Sequence, residues 1–387
     1  INLVSDLKID RTFILSLDQD EKGREAELKL AEQFISKKIK FITYKLTIDD
    51  VKDPNEMLVK NKGVFNKMVE NAINQTKSEK ERYLEYSTAN HLPKFFNDIT
   101  NGSNTSCIKT NFEGLDYLLE GGLYEGLYCV GAISSLGKTT FVTQIADQIA
   151  AQGTDVLIFS LEMSRWEIIS KSISRHTVIE SIASNSDIRN AKTARGITEG
   201  SRYSGYSTPE IDLIKKAREN YSQYCKNIYI VEGTGPIGVE LIRRNVKNHL
   251  KYTGKVPVVI IDYLQILYSV NERLTEKQNT DRSVIELKRI SRDFKTPVIA
   301  ISSFNRENYK SIVNMQSFKE SGAIEYSSDV LIGLQLKGTG RDSFDVNEAK
   351  SRNPREIELV VLKNRNGRTG VKMEFDYYAM YNYFKEK

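Results

Sequence analysis

Short apolar runs rich in Val and Ile alternate with segments of helical spacing over residues 107–387. Near-continuous β-branched runs of this kind, placed between helices, predict an α/β fold with a mostly parallel central sheet covered on both faces. The runs predicted to be strands lie near Leu127–Val130, Val156–Phe159, Ile228–Val231, Val258–Ile261, Val298–Ile301, Val330–Leu334 and Ile357–Leu362. Ligands of such sheets bind at the carboxyl ends of the strands, so the polar residues that follow these runs are the first candidates for a functional site.

The run that ends at Val130 leads into the sequence GAISSLGKTT at 131–140, which opens a segment of helical spacing. A strand, a loop ending in Gly-Lys-Thr and a helix are the context of a phosphate-binding P-loop, whose backbone N–H groups and helix N-terminus hold phosphate oxygens. Lys138 would reach the β/γ-phosphates, and the Thr139 hydroxyl would bind Mg²⁺. The predicted nucleotide contacts are Ser134, Ser135, Leu136, Gly137, Lys138, Thr139 and Thr140. An ordinary strand–turn–helix with a chance Lys-Thr pair is the alternative.

Two acidic residues follow other predicted strands. Asp262 ends the run Val258–Ile261, and a carboxylate at such a position orients Mg²⁺ and its waters opposite a P-loop. Glu162 follows the run Val156–Phe159, where a carboxylate can polarise the water that attacks a γ-phosphate. A surface Glu at a strand end is the alternative for Glu162, but the P-loop upstream favours the catalytic interpretation of both residues.

The first 66 residues carry a different pattern, in which a compact apolar run, Phe13–Leu17, ends in acidic residues. Asp18 and Asp20, two residues apart at a strand end, project to the same side and could share a hard cation such as Mg²⁺. The elements predicted to follow are a helix with Ala26, Leu30, Ala31 and Phe34 inward, a strand from Phe41 to Leu46, and the sequence Asp53-Pro54-Asn55-Glu56. A solvated acidic turn is the alternative to a metal site.

Residues 67–106 are predicted to form a helical and flexible linker. Phe65–Ile73 keeps helical spacing, and 97–106 is rich in Asn, Thr, Gly and Ser, which is typical of a flexible connector. The short amphipathic helix could dock on a neighbouring subunit or pack on its own chain. Further along, Ser184–Ser207 is polar and unassigned, and Gly338–Arg355 is expected to be a charged, mobile insertion.

Composition narrows the possible classes of protein. The 387 residues are enough for two domains, and a formal net charge of +5 permits a nucleic-acid partner. Cys107, Cys129 and Cys225 lie far apart without a CxxC pair, which argues against a disulfide framework or a zinc site. Neither a membrane-length apolar run nor a signal peptide is present, so we expect a cytoplasmic protein. Because the first residue is Ile rather than Met, we also expect a fragment of a longer polypeptide.

Seven motifs follow one another along the second region. They are Thr110–Asp116 (TNFEGLD), the P-loop, Phe159–Met163 (FSLEM), Ile261–Gln265 (IDYLQ), Pro297–Arg306 (PVIAISSFNR), Lys319–Glu325 (KESGAIE) and Lys363–Gly370 (KNRNGRTG). In this order and at this spacing they resemble the C-terminal ATPase domain of DnaB-family replicative helicases. The resemblance covers 107–387 and implies a RecA-like P-loop ATPase core.

The order strand, DxDxxG, helix, strand and DPNE in residues 1–66 resembles the C-terminal half of a TOPRIM domain, the metal-binding fold of primases and topoisomerases. This resemblance implies a metal site at Asp18 and Asp20. The Glu that the family carries on an earlier strand has no counterpart here, because the chain begins too late. The whole arrangement resembles the bacteriophage and Twinkle-type primase-helicases, with a partial TOPRIM-like domain at 1–66, the linker at 67–106 and the ATPase domain at 107–387.

The helicase resemblance also implies roles for individual residues. Lys363 and Arg365 match the basic finger that enters the neighbouring subunit's active site, and a solvated basic hairpin is the alternative. The following Asn366-Gly367 is a tight-turn signal that would point these cations outward. The predicted DNA contacts are Lys319, Glu320, Ser321 and Gly322, in the loop that lines the central channel. Ser303 stands where many members carry a γ-phosphate-sensing Gln, and its shorter side chain would need a water to reach the phosphate.

The expected function is that of an ATP-dependent, ring-forming replicative DNA helicase that translocates on single-stranded DNA. The resemblance implies ATP or another NTP with Mg²⁺, a homo-oligomeric ring that is expected to be a hexamer, and primase and helicase-loader proteins as further partners. Head-to-tail contacts are required, because the next subunit completes the nucleotide site. Two alternatives stay open: a DNA-dependent ATPase that loads or regulates the replication machinery without unwinding, and an enzyme in which an intact TOPRIM domain nicks or primes DNA.

Overall fold

The computed structural model describes residues 11–18, 20–48, 51, 53–77, 79–101, 107–233, 235, 237–268, 275–304, 311–318 and 322–387. The chain divides into two compact units, Ile1–Asn104 and Thr105–Lys387. Among the helices of these described residues, none has the length and apolar character needed to cross a bilayer.

The first unit opens with a strand–helix–strand motif. Strand β1 (Phe13–Leu15) pairs in parallel with β2 (Phe41–Thr43), and α1 (Glu21–Ser36) connects them. Phe34 of α1 is buried and meets Phe13 and Phe41 edge to face, so one aromatic side chain fastens the helix to both strands. The predicted elements are therefore present, although β2 ends three residues before the predicted Leu46.

The other secondary-structure elements of the described first unit are helical. The α-helices are α2 (Pro54–Lys60), α3 (Lys62–Thr76), α4 (Glu79–Leu84) and α5 (Leu92–Thr100). Helix α3 runs without interruption through residue 66, at which the sequence pattern placed the end of the first domain. The connector predicted at 97–106 begins within α5, and its residues 102–106 lie outside the described chain.

A nine-stranded sheet forms the centre of the second unit. Its strands are β3 (Gly126–Ala132), β4 (Val156–Ser160), β5 (Ile228–Glu232), β6 (Val258–Asp262), β7 (Pro297–Ser303), β8 (Val330–Leu336), β9 (Arg355–Asn364), β10 (Lys372–Tyr378) and β11 (Tyr383–Glu386). They are ordered β11-β10-β9-β8-β3-β7-β6-β4-β5. The six strands from β8 to β5 are parallel, and β9, β10 and β11 extend the sheet in antiparallel fashion. All seven predicted strands are confirmed; β10 and β11 were not predicted.

Helices connect the parallel strands and surround the sheet. They are α6 (Glu113–Leu118), α7 (Lys138–Ala151), α8 (Arg165–Ala183), α9 (Ala194–Thr198), α10 (Gly200–Tyr203), α11 (Thr208–Tyr224), α12 (Val239–Thr253), α13 (Glu276–Phe294), α14 (Gly322–Ser327) and α15 (Val346–Ser351). Every residue of β3, β4 and β6 is buried. Phe141 of α7 packs against Phe112, Phe375 and Phe384, which joins the antiparallel extension to the parallel part of the sheet.

Two segments that the sequence left without structure are folded. The segment 184–207 contains α9 and α10, and its Lys192 is buried against α8. The backbone N–H of Lys192 donates to Thr177 Oγ1, and its carbonyl oxygen accepts a hydrogen bond from Ser174 Oγ. The insertion Gly338–Arg355, which we expected to be mobile, contains a helix that packs against the core. Asp345 caps the N-terminus of its helix α15, whose Val346 and Ala349 pack against the core.

Candidate functional site

The carboxyl ends of β3, β4, β6 and β7 meet at one edge of the sheet, where a cavity of about 370 Å³ opens. It is lined by Ser134, Ser135, Gly137, Lys138, Thr139, Thr140, Glu162, Met163, Lys171, Asp262, Tyr263, Ser303 and Tyr377. The residues predicted at the ends of different strands are thus neighbours in space. This convergence is the geometry expected of an α/β ligand site.

The loop between β3 and α7 has the backbone of a phosphate cradle. Gly137 is the N-cap residue of α7, with φ at +92°, and a Cβ added to it would lie 2.8 Å from the Tyr377 ring. Both the dihedral angle and the close approach therefore require glycine at this position. Since glycine has no side chain to cap the helix, the first N–H groups of α7 are left for an anion.

Ser135 is the strained residue of this loop. Its φ is +63°, a left-handed conformation that costs a residue with a Cβ on the order of 1 kcal/mol. Leu136 differs from its predicted neighbours because its side chain is fully buried in the core and does not line the cavity. Only its backbone is available for a nucleotide contact.

The Lys138 ammonium lies within the cavity and donates to the carbonyl oxygens of Ala132 (3.0 Å) and Ile133 (3.3 Å). Burial lowers the pKa of Lys138 to about 8, and the neighbouring carboxylates of Asp262 and Glu162 act in the opposite direction. The lysine therefore keeps most of its charge at neutral pH, where it can attract a phosphate.

The side chains of Asp262 and Thr139 lie next to each other in the cavity. Asp262 is 3% exposed, and burial raises the pKa of its carboxyl group, although the Thr139 hydroxyl beside it acts to lower that pKa. Its Oδ2 atom is buried without a hydrogen-bond partner in the described part of the chain. A buried carboxylate oxygen without a partner, next to a hydroxyl, is the donor set that a hard cation such as Mg²⁺ prefers, so these residues fit the metal.

Glu162 and Ser303 complete the set of predicted cavity residues. Glu162 follows β4 and is exposed at the cavity, and Ser303 is the last residue of β7. Next to it, the buried Ser302 accepts a hydrogen bond of 3.0 Å from the Gln265 side chain, which links β7 to the segment after β6.

Four residues that line this cavity were not predicted as site residues: Met163 and Tyr263 belong to quoted motifs, and Lys171 and Tyr377 belong to none. Lys171 projects from α8 and is partly buried, and its ammonium interacts electrostatically with Asp262 and Glu162. Tyr377 belongs to β10, where its ring stacks on Phe384 at 4.1 Å between centroids. The alternation of buried Met373, Phe375 and Tyr377 is the period-2 signal that could have identified this strand.

Lys363 and Arg365 lie at the opposite edge of the sheet from the P-loop. Lys363 pairs with Leu331 near the start of the antiparallel neighbour β8, and the backbone N–H of Arg365 donates to Asp329 O, just before β8 begins. Its ammonium donates to the carbonyl oxygen of Glu325 (2.5 Å), and the Arg365 guanidinium donates to that of Tyr326 (2.8 Å). The structure therefore does not bring these cations to the cavity at the P-loop of their own chain.

The predicted tight turn after Arg365 is also different. Strand β9 ends at Asn364 and β10 begins at Lys372, so seven residues join them rather than a two-residue turn. The Asn364 side chain donates to Leu118 O (3.0 Å) and accepts from Asn366 N (3.2 Å), which shapes the start of this longer connection.

The remaining predicted residues belong to the DNA-binding loop and the acidic motif. Lys319, Glu320 and Ser321 lie outside the described residues, and Gly322 is the first residue of α14. Asp20 caps α1 by accepting from Gly23 N at 2.7 Å, and a Cβ on Gly23 would approach Asp18 O to 2.1 Å. No group of three possible metal ligands occurs among the residues that the structure describes.

Fold and cavity together define a P-loop nucleotide-binding protein of the RecA-like class. The family model described as the DnaB-like helicase C terminal domain matches residues 107–386. The chain therefore belongs to the family of DnaB-like helicases.

Curated relatives agree with this membership. The chain is 30% identical over 285 residues to the replicative DNA helicase DnaB of Geobacillus stearothermophilus, a match that covers 72% of this chain and 56% of the relative. It is 27% identical over 280 residues to a probable replicative DNA helicase of Trieres chinensis, covering 70% of this chain and 55% of the relative. The chain thus spans about half the length of the curated relatives it matches.

Solved structures support the fold. One described as an ATPase domain has a TM-score of 0.63 at 23% identity and covers 77% of this chain and 98% of its own. Another, described as a DnaB-like replicative helicase and its interactions with primase, has a TM-score of 0.62 at 20% identity, with coverage of 93% and 76%.

Proposed function

We propose that this chain is the motor of a ring-forming replicative DNA helicase, which hydrolyses ATP or another nucleoside triphosphate to translocate along single-stranded DNA. The observation that carries the proposal is the convergence of the P-loop with Asp262 and Glu162 on one cavity at the carboxyl edge of the sheet. Membership in the DnaB-like helicase family and the replicative helicases among the relatives support it.

Lys138 is proposed to bind the β- and γ-phosphates. To do so, its ammonium exchanges the carbonyl oxygens of Ala132 and Ile133 for phosphate oxygens. A bound polyphosphate raises the pKa of this lysine, since an opposite charge nearby favours the protonated form. The backbone N–H groups of the P-loop and of the start of α7 are proposed to hold the α- and β-phosphates.

Glu162 is proposed as the general base that takes a proton from the attacking water. Its carboxylate lies at the cavity, across from the P-loop lysine. Thr139 and Asp262 would hold Mg²⁺, which neutralises phosphate charge when it is bound. Lys171 is proposed as a further cation of the same chain that contacts the γ-phosphate, because it lines the cavity and its ammonium interacts with both carboxylates.

Lys363 and Arg365 are proposed to act in the nucleotide site of the next subunit. They lie at the amino edge of the parallel strands, whereas the P-loop lies at the carboxyl edge, so a head-to-tail arrangement of copies brings the two edges together. Repetition of such a contact around a closed ring, which we propose to be a hexamer, makes each site depend on two subunits.

Contact with DNA is proposed for the loop of Lys319, Glu320, Ser321 and Gly322, which leads directly into α14. The carbonyl oxygens at the end of α14 accept hydrogen bonds from Lys363 and Arg365. If DNA displaces this loop, α14 would move with it, and the two cations that are proposed to complete the neighbouring site would move as well. Phosphate contacts by such a loop would not select sequence.

The first unit is proposed to be a partial TOPRIM-like domain with Asp18 and Asp20 as metal ligands, as in a primase-helicase. The parallel pairing of β1 with β2 around α1 and the close approach of Gly23 to Asp18 support this interpretation. Primase and helicase-loader proteins are the proposed partners, and one structural neighbour is described with primase.

The test compares ATP hydrolysis with and without a single-stranded oligonucleotide for the wild-type chain and for Lys138→Ala, with the molar mass measured in the same buffer by light scattering. We expect an oligomer whose hydrolysis is stimulated by DNA, and a substituted chain that assembles but does not hydrolyse ATP. Displacement of a labelled strand from a forked duplex is the second measurement.

The outcomes separate the candidate functions. DNA-stimulated hydrolysis together with strand displacement agrees with a helicase. Stimulated hydrolysis without displacement would instead favour the DNA-dependent ATPase that loads or regulates other proteins. Hydrolysis that persists in Lys138→Ala would contradict the assignment of the P-loop.

A further inference from the structure

Carbonyl groups of the P-loop accept hydrogen bonds from a set of cationic side chains. Carbonyl oxygens of four successive residues, 132–135, each accept a hydrogen bond from a cationic side chain. Lys138 serves Ala132 and Ile133. The ammonium of Lys350 donates to Ser134 O at 3.2 Å, and the guanidinium of Arg355 donates to Ser135 O at 3.3 Å.

Lys350 and Arg355 belong to the insertion 338–355, far from the P-loop in sequence; Lys350 lies in α15, and Arg355 is also the first residue of β9. The insertion has its own anchors: Asp345 caps α15, and the side chains of Val346 and Ala349 pack against the core. Arg355 Nε also donates to Lys350 O at 2.6 Å, which fixes the two cations relative to each other. Two adjacent P-loop carbonyls are thus held by one small folded element.

These bonds fall on the strained part of the loop. Ser135, with φ at +63°, has the left-handed backbone that the cradle requires and that a residue with a Cβ disfavours. When the loop's N–H groups point toward a phosphate, its carbonyl groups point away, and a cation on the carbonyl side polarises the peptide in the sense that strengthens the N–H donor.

We infer that Lys350 and Arg355 are positioning residues that hold the P-loop in its phosphate-binding conformation from outside the nucleotide cavity. The inference rests on the proposed nucleotide binding at the P-loop. Neither side chain lines the cavity, so both act through the loop backbone. Burial is the main reason for the lowered pKa of Lys138, and repulsion by the nearby Lys350 ammonium acts in the same direction.

This role predicts a particular pattern of affinities. The P-loop backbone holds the phosphates that ADP and ATP have in common. Loss of the hydrogen bonds from Lys350 and Arg355 therefore lowers the affinity for both nucleotides by a similar factor. A residue that touched the γ-phosphate would instead weaken only the triphosphate. Because the chemistry takes place at the γ-phosphate, we expect KM to rise while kcat stays nearly constant.

The experiment measures the dissociation constants of ADP and of a non-hydrolysable ATP analogue by calorimetry for the full chain and for Lys350→Met, Lys350→Arg and the double variant Lys350→Met/Arg355→Met. Arg352→Met is the matched control. This arginine belongs to the same insertion, two residues from Lys350, but it is 55% exposed and pairs with Glu348 and Glu356 instead of the P-loop. Thermal unfolding of each variant shows whether the fold is kept.

We expect Lys350→Met to lower the affinity for both nucleotides roughly three- to tenfold, since a partly exposed hydrogen bond from a charged group is lost. The double variant should lower both affinities further. Lys350→Arg should restore binding, and Arg352→Met should match the wild type. Wild-type affinities in both Met variants, or a loss confined to the triphosphate, would overturn the inference. A wild-type chain that binds neither nucleotide would overturn the proposed function and this inference with it.

Discussion

Lys171 is the cation of the nucleotide cavity that no motif identifies. It lies nine residues after Glu162 on α8, and the fold turns it toward the two carboxylates of the site. The motif residues could be found because each follows a strand or belongs to a contiguous loop. Lys171 could not, since a single lysine in a helix with other polar residues has no distinguishing pattern; only the packing of α8 against the sheet reveals it.

Substitution of Lys171 by Met should affect the binding of ATP and of ADP differently. We expect the affinity for a non-hydrolysable triphosphate to fall roughly tenfold or more, as for a hydrogen bond to a charged group, while ADP binding changes by less than about twofold. The hydrolysis rate at saturating ATP should fall as well, because the lost contact is made with the phosphate that reacts. Calorimetry with each nucleotide and steady-state kinetics provide the measurements.

Lys171→Arg is the conservative variant and should recover much of this loss. Lys215→Met is the control, because Lys215 is exposed on α11 and pairs only with Asp212 in the described structure. An equal loss of ADP and triphosphate affinity in Lys171→Met would contradict a γ-phosphate contact and would indicate a general effect on the cavity.

The elements show where sequence patterns are sufficient and where they are not. Seven strands were predicted because each contains a short apolar run, and such a run indicates a strand from the local pattern alone. Most of these strands are buried, whereas no residue of the edge strand β5 is fully buried. Strand β11 is only four residues long, and β10 has polar residues at alternate positions, so neither forms a continuous apolar run. The insertion at 338–355 was expected to be mobile because its charges suggest solvent exposure. The charged groups of Lys350 and Arg355 instead donate hydrogen bonds to carbonyl oxygens of the P-loop.

The P-loop itself offers a test of how backbone and packing requirements combine. Gly137 and Gly153 stand at the two ends of α7 with similar dihedral angles, φ at +92° and +88°. A Cβ at Gly137 would lie 2.8 Å from the Tyr377 ring, whereas nothing lies within 4 Å of one at Gly153. The pair therefore separates the cost of a left-handed residue from the cost of a steric clash.

Gly153→Ala should lower the free energy of unfolding by about 1 kcal/mol, the cost of the dihedral angle alone, and should leave nucleotide binding intact. Gly137→Ala should destabilise the chain more and should weaken nucleotide binding more than about tenfold, because the loop must shift away from Tyr377. Urea unfolding and calorimetry with ADP measure the two effects. Equal losses of stability in the two variants would show that the Tyr377 ring moves aside without a free-energy cost, and that its contact with residue 137 does not constrain the loop.

At the scale of the whole molecule, the second unit carries two different groups of candidate functional residues at opposite edges of its sheet. The P-loop, Asp262 and Glu162 occupy the carboxyl edge of the parallel strands, and Lys363 and Arg365 occupy the amino edge. A single copy cannot fold one edge onto the other, since the strands between them are part of one rigid sheet. The family resemblance predicted a finger that acts in the next subunit, and the position of Lys363 and Arg365 in the sheet gives the physical reason to propose it.

Mixing two inactive variants tests this dependence between subunits. Lys138→Ala removes the phosphate-binding lysine but keeps the finger, and Arg365→Ala removes the finger but keeps the P-loop. Each alone should hydrolyse ATP very slowly. In rings assembled from equal amounts of both, an intact P-loop meets an intact finger at about a quarter of the interfaces if the copies mix at random, so we expect up to about a quarter of the wild-type rate.

Hydrolysis by these mixed rings is measured after the two variants are combined and reassembled, with the mass of the ring checked by light scattering. The control mixes each variant with Lys138→Ala/Arg365→Ala, which lacks both groups and so cannot restore an interface on either side. If the first mixture were no more active than its components while still forming rings, Arg365 would not act in the neighbouring site. Its contacts with Tyr326 and Asp329 in its own chain would then be the reason for its effect.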